Sequence, residues 1–289
     1  MHTHVRSVVT LFLTHHQNQY EKRAYAERVR ILNLFAEYIG DRPITDCTPA
    51  DVLTFVTERK QWKSGWTKRL SNQAIQRCFN WAAKLKLVKE NPFTGVTFPE
   101  GEPRRAMTTA EFHSLIKATD TCFRPCLWFL WWTGCRPGEL SSMTWKDVDF
   151  ERGIITLKHH KTAKKTKKPR MIPLPDHALK MLRVQQRRYG TEGFVFTNRS
   201  NRPWNRSSLS LRMQRLRERI GLPRDCYLYS LRHSYGTNAI LAGVPVLMVA
   251  KCMGHSGTGT TIKHYVHIDH EYEALRGAAN FKRPAAKAN

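Results

Sequence analysis

The chain has 289 residues, enough for one large domain or two ordinary ones, and its 41% hydrophobic content supports a packed core, which excludes a disordered protein. Its 48 Lys+Arg against 23 Asp+Glu leave a formal net charge of +25, far beyond what solubility needs. An excess of that size points to a polyanion, nucleic acid foremost, with a generally basic protein as the plainer alternative. Seven cysteines with no CxxC pair exclude a disulfide framework and a zinc ribbon, and they fit a reducing, cytoplasmic setting. The longest apolar run, Cys126 to Trp132 (CLWFLWW), is too short to span a bilayer and reads as a buried helix.

In chain order, residues 1–91 read as about four helices. The N-terminal stretch MHTHVRSVVTLFLTHH has the look of an amphipathic helix without a cleavage site. In RILNLFAEYIG, Leu32, Phe35, Ala36 and Ile39 follow helical spacing and Gly40 marks the end. TPADVLTFV opens with Thr48 as N-cap, Pro49 in the first turn and Asp51 as the capping-box partner. A further helix buries Ile75, Cys78, Phe79, Ala82 and Leu85 on one face. Residues 92–107, rich in Pro and Gly and without periodicity, read as an interdomain linker.

Residues 108–289 form the second expected domain. Thr108 and Glu111 make another capping box, and the apolar helix that follows ends at Gly134. WKDVDFERGIITLK alternates about a turn and predicts a hairpin; MIPL resumes strand character after a basic turn from Lys161 to Arg170. The rest reads as helical: Asp176 to Arg188, Ser207 to Ile220, Ser230 to Ala242, Val246 to Met253, and a last pair near Thr260 to His267 and His270 to Ala279. The expected fold is therefore mainly α with a small antiparallel β-sheet.

Three stretches carry candidate chemistry. In TGCRPGEL, Arg136 follows a helix-ending Gly–Cys pair and precedes Pro137, so it is held on a turn with Glu139 able to reach back to it; taken alone, these residues read first as a surface ion pair. In YSLRHSYGT, Ser230 is a candidate cap and Arg232 is expected in the first helical turn, where backbone N–H groups and the helix dipole suit an anion; a structural capping arrangement accounts equally for these residues alone. In GHSGTGTTIKHYVHIDH, the histidines His264, His267 and His270 step by three and drift around a helix, so they do not form the i, i+4 pair that a metal site uses. No metal and no cofactor is expected.

Taken together, Arg136, Lys161, Arg232, His255 and Tyr265 occur in this order in a basic, mostly helical domain behind a smaller helical one. TGCRPGEL, the hairpin Lys161, SLRHSYGT and MGHSGTGTTIKHYVH strongly resemble the tyrosine recombinase (phage integrase) family, over about Thr108 to Ile268. The resemblance implies a helical, SAM-like core-binding DNA-binding domain over residues 1–91 and a catalytic domain with a C-terminal tail over 108–289. It also implies a site-specific recombinase or integrase of a mobile element that breaks and rejoins double-stranded DNA without metal or ATP. Tyr265 would be the nucleophile of a 3′-phosphotyrosyl intermediate and Lys161 the acid for the departing 5′ oxygen. Arg136, Arg232 and His255 would hold the phosphate, with Glu139 in support. A planar guanidinium suits that task because it binds phosphate oxygens through two N–H groups and keeps its charge.

Self-association to a tetramer on two DNA sites is implied, with room for accessory DNA-bending proteins, no membrane, and a nucleoid-associated location. The helix after Tyr265 reads equally as docking on a neighbour or on its own domain. The family usually has His where Tyr229 stands; a phenol can donate a hydrogen bond to phosphate but does not exchange protons near neutral pH. A type IB topoisomerase-like relaxing enzyme and a catalytically weak DNA-binding relative are the alternatives.

Overall fold

A computed structural model describes residues 4–99, 105–158 and 169–255. The chain divides into two compact units, Met1–Glu102 and Pro103–Asn289.

The first unit contains α1 (Val5–His16), α2 (Lys22–Ile39), α3 (Pro49–Thr57) and α4 (Gly65–Lys84). Each has an apolar stripe at helical spacing, and α1, α2 and α4 pack on one another. Thr48 starts α3 as expected: its N–H donates to Asp51 Oδ2 at 2.7 Å, and Pro49 occupies the first turn, where its missing N–H costs nothing. The core is a set of edge-to-face aromatic contacts: Phe35 lies 5.1 Å from both Phe55 and Phe93, and Phe79 lies 4.7 Å from Phe93.

Two expectations change here. Leu85 lies beyond the end of α4 at Lys84 and is exposed, because the helical face stops before it. The start of the expected linker is not a linker at all. Phe93 is fully buried, Asn72 donates to the Val96 carbonyl at 2.7 Å, and Asn91 donates to Asn80 Oδ1 at 2.7 Å and Gln76 Oε1 at 2.9 Å. Side-chain amides from α4 satisfy this segment's polar groups, so it packs without any periodicity of its own.

The second unit opens with α5 (Thr109–Ala118), capped by Thr108 and Glu111 as its sequence predicts. Next come α6 (Arg124–Thr133) and the single turn α7 (Pro137–Leu140). Strands β1 (Val148–Asp149), β2 (Ile154–Leu157) and β3 (Arg170–Pro173) form an antiparallel sheet in the order β1-β2-β3. Then follow α8 (Asp176–Tyr189), α9 (Arg206–Arg219), α10 (Leu228–Leu241) and α11 (Val246–Met253).

Helix α6 is the hub, with Cys126, Leu127, Phe129 and Leu130 fully buried and its main packing against α10. It ends at Gly134 in the left-handed conformation, φ 59°, where a Cβ would run into the Tyr235 ring of α10. Strand β3 begins at Arg170, which the sequence places in the basic turn. Arg170 pairs with Leu157 and, with Ile172, faces the core, because alternate strand residues share a face. The expected helices near Thr260–His267 and His270–Ala279 lie outside the described residues.

Candidate active site

The C-terminal end of α11 gathers the site. A helix leaves its last carbonyls without intrahelical partners and carries a partial negative charge there. The turn after α11 closes in a Schellman arrangement: Gly254 N–H donates to the Lys251 carbonyl at 3.0 Å and His255 N–H to the Ala250 carbonyl at 3.0 Å. Four successive carbonyls are then met by guanidiniums from three other parts of the fold. Arg170 Nη1 donates to the Lys251 carbonyl at 3.3 Å, and its Nη2 donates to that of Cys252. Arg232 Nη2 reaches the Met253 carbonyl at 2.7 Å, and Arg136 Nη2 reaches that of Gly254 at 2.8 Å.

Each arginine is fixed by its own element. Arg136 is the N-cap of α7; its backbone N–H donates to Glu139 Oε2 at 2.9 Å and its Nη1 to Glu139 Oε1 at 2.6 Å. Glu139 thus reaches back to Arg136; with Glu139 4% exposed and Arg136 15% exposed, the pair is an inward one rather than a surface one. Arg232, on α10 and 2% exposed, also donates from Nη1 to the Gly134 carbonyl at 2.6 Å, so it bridges the C-terminal ends of α6 and α11. Gly254 is left-handed, φ 67°, and a Cβ there would lie 2.5 Å from Arg170 Nε.

The first-turn placement of Arg232 is corrected. α10 starts at Leu228 with Tyr227 as N-cap, and Ser230 is the residue that reaches back, accepting from Tyr227 N–H at 3.1 Å. Arg232 is therefore in the second turn, and its charge is placed by helix C-termini, not by an N-terminus. Tyr229 falls in the first turn, half-buried, with its ring 6.1 Å from that of His233. His255 sits in the turn that the three arginines hold. Lys161 and Tyr265, together with His264, His267 and His270, lie outside the described residues. No cluster of His, Cys, Asp or Glu able to hold a metal occurs among the described residues, and no helix there is long and apolar enough to cross a membrane.

Among the described residues the electrostatics are lopsided: three guanidiniums stand around one buried carboxylate. Burial, reinforced by Arg136 beside it, lowers Arg232 to about 10, which leaves it charged at neutral pH. Burial also pushes Tyr235 up to about 12 and Cys135 up to about 12, so both stay neutral and neither is a ready nucleophile. A guanidinium has five N–H donors, and the bonds above occupy two each on Arg136 and Arg232. Such a site is suited to an anion with several oxygens.

Arg170 is the residue that motif reading missed. A signal was present: in RMIP, Arg170 is in phase with the apolar Ile172, so a strand starting at Arg170 points a cation into the core.

The phage integrase family pattern matches residues 100–271. Tyrosine recombinase XerC of Xanthomonas campestris pv. campestris (strain B100) is 24% identical over 284 residues, covering 93% of this chain and 86% of that protein. The Tn1549 transposon integrase, solved in complex with a circular intermediate DNA, superposes with a TM-score of 0.81 at 20% identity, over 96% of this chain and 99% of that one. The lambda integrase tetramer bound to a Holliday junction gives 0.74 at 16% identity, over 89% and 78%. At such identities the structural likeness is one of fold.

Proposed function

The chain belongs to the phage integrase family, the tyrosine recombinases, and from that premise we propose that it is a site-specific DNA recombinase acting through a covalent 3′-phosphotyrosyl intermediate. The observation that carries this reading is the convergence of Arg136 and Arg232 on the α11 terminus, where, among the described residues, a single buried carboxylate faces the guanidiniums. A phosphodiester under in-line attack develops negative charge on its non-bridging oxygens, and preorganised guanidiniums stabilise that charge without a metal ion.

In this scheme Tyr265 attacks phosphorus as the phenolate, whose formation neighbouring cations favour. The new O–P bond forms as the bond to the 5′ oxygen breaks, and Lys161 gives that oxygen its proton. His255 donates to the phosphate from the α11 turn, and Tyr229 donates a neutral hydrogen bond. The phosphotyrosyl ester keeps the bond energy, so the reverse attack by a 5′ hydroxyl rejoins DNA without ATP. The first unit serves as the core-binding domain on duplex DNA. Assembly as a tetramer on two sites is supported by the lambda integrase tetramer on a Holliday junction. A protein of this kind works in the cytoplasm, at the nucleoid.

The test is adduct formation. A duplex selected from a random-sequence pool by binding to the protein is nicked next to the cleavage position, so that strand breakage becomes irreversible. Wild-type protein should give a denaturant-stable protein–DNA adduct in excess EDTA, and Tyr265→Phe should give none while binding the duplex normally. Adduct formation by Tyr265→Phe, or its abolition by EDTA, would overturn the scheme.

A further inference from the structure

The α11 terminus has three arginines on it, and the scheme above uses two. Arg170 opens β3 with 6% exposure. Its Nη1 donates to its neighbour, the Met171 carbonyl, as well as to Lys251, and its Nη2 donates to Cys252. Its Nε has no hydrogen-bond partner among the described residues but lies 3.7 Å from Glu139 Oε1, the same oxygen that receives Arg136 Nη1 at 2.6 Å. One carboxylate oxygen thus stands between two guanidiniums, and two of the four terminal carbonyls belong to Arg170.

We infer that Arg170 is a positioning residue for strand cleavage: by fixing the last carbonyls of α11 and drawing on the same Glu139 oxygen as Arg136, it holds Arg136 and the His255 turn in one arrangement. The inference rests on the recombinase reading and deepens it.

Two physical effects are separable. The first is geometric. The carbonyls of Lys251 and Cys252 lie immediately before the turn that carries Gly254 and His255, so the Arg170 fork sets where that turn begins. The second is electrostatic. Arg170 divides the charge of Glu139, leaving more of the Arg136 charge for a phosphate; without it, the Arg136–Glu139 pair would tighten toward neutrality. Lysine at this position keeps the charge but loses the planar fork, whereas glutamine loses the charge.

Arg170→Lys and Arg170→Gln therefore test both effects, with the nicked duplex described above at saturating concentration. Adduct formation should slow by about 10–100-fold, the range typical when the supporting partners of a metal site's ligands are removed. The loss should be greater for Gln than for Lys and should lie in the rate at saturation, with affinity for the duplex unchanged. A second measurement needs no DNA: the Nε–H resonance of Arg136 in ¹⁵N-arginine-labelled protein should shift in both variants. If a variant fails to fold, Glu139→Gln serves instead, and the Arg170 Nε–H resonance should shift in it.

Wild-type adduct rates in a folded Arg170→Gln, losses confined to DNA affinity, or unmoved arginine resonances would each overturn the inference. Should wild-type protein itself form no adduct on any duplex, the recombinase reading fails, and the resonances still decide whether Arg170 positions Arg136.

Discussion

The two units differ in what they bury. The first buries aromatic and aliphatic side chains, and its buried polar groups are neutral: Ser71, Asn72 and Asn91. The second has an equally apolar hub at α6, yet it also buries Glu139, Arg170 and Arg232. Buried charge is costly unless paired, and among the described residues three guanidiniums stand around one carboxylate there. A fold selected only for stability would not concentrate that cost beside two helix ends. The first unit's interior thus gains cohesion from the apolar side chains it buries, whereas part of the second unit's interior carries charge whose cost an anion, on the function proposed above, would offset.

The sharpest way to break this comparison is to remove one interior group from each unit. Phe79→Ala in the first should cost about 3–5 kcal/mol of that unit's stability, because a fully buried ring leaves a cavity. Arg232→Gln in the second should lower the rate of adduct formation by roughly 10²–10³-fold, as for loss of a preorganised oxyanion donor, with a smaller shift in melting temperature than Phe79→Ala. Thermal melts of both variants beside single-turnover cleavage check this. A folded Arg232→Gln that cleaves at the wild-type rate would place Arg232 with the structural core instead.

A smaller effect is expected at Tyr229. Its hydroxyl is a neutral donor, worth about 0.5–1.5 kcal/mol, so Tyr229→Phe should slow cleavage roughly 2- to 13-fold. Tyr229→His should remain active and add a pH dependence near the unperturbed histidine value of about 6.5. Unchanged cleavage by Tyr229→Phe would make the ring a packing element against His233.

The smallest effect sharpens the electrostatic side. Arg232 at about 10 lies below the ordinary guanidinium value, so its charge is a cost to the anion-free fold that is present in full below pH 10 and relieved as pH rises above it. A bound anion offsets that cost. Sulfate at constant ionic strength should raise the second unit's melting temperature by about a degree or two near neutral pH, and the gain should fade above pH 10. A gain that is absent near neutral pH, or that grows above pH 10, would argue against an anion beside Arg232.

Much of this molecule is legible in its sequence because the signals are local. Helical spacing located the faces of α2 and α4, capping boxes at Thr48 and Thr108 set the starts of α3 and α5, and alternation gave the hairpin. The Arg136–Glu139 pair lies within one turn, so its spacing was enough to expect the contact. Leu85, Phe93 and Arg170 depart from the local pattern for one reason: whether a residue is buried depends on what packs over it. Phe93 follows a Pro in an aperiodic stretch and gains its burial from α2 and α4.

The family resemblance, the order of the motif residues and most of the helices are written in local sequence, since each depends on neighbours a few positions apart. That Arg136, Arg170 and Arg232 meet at one place follows from long-range packing. The carbonyls they hold are 118, 81 and 21 positions away in the chain. The same packing makes the meeting place the negative end of α11 rather than the positive end of α10. Unpaired carbonyls at a helix C-terminus attract cations from whichever elements the packing brings within hydrogen-bonding distance, and no local pattern encodes that distance.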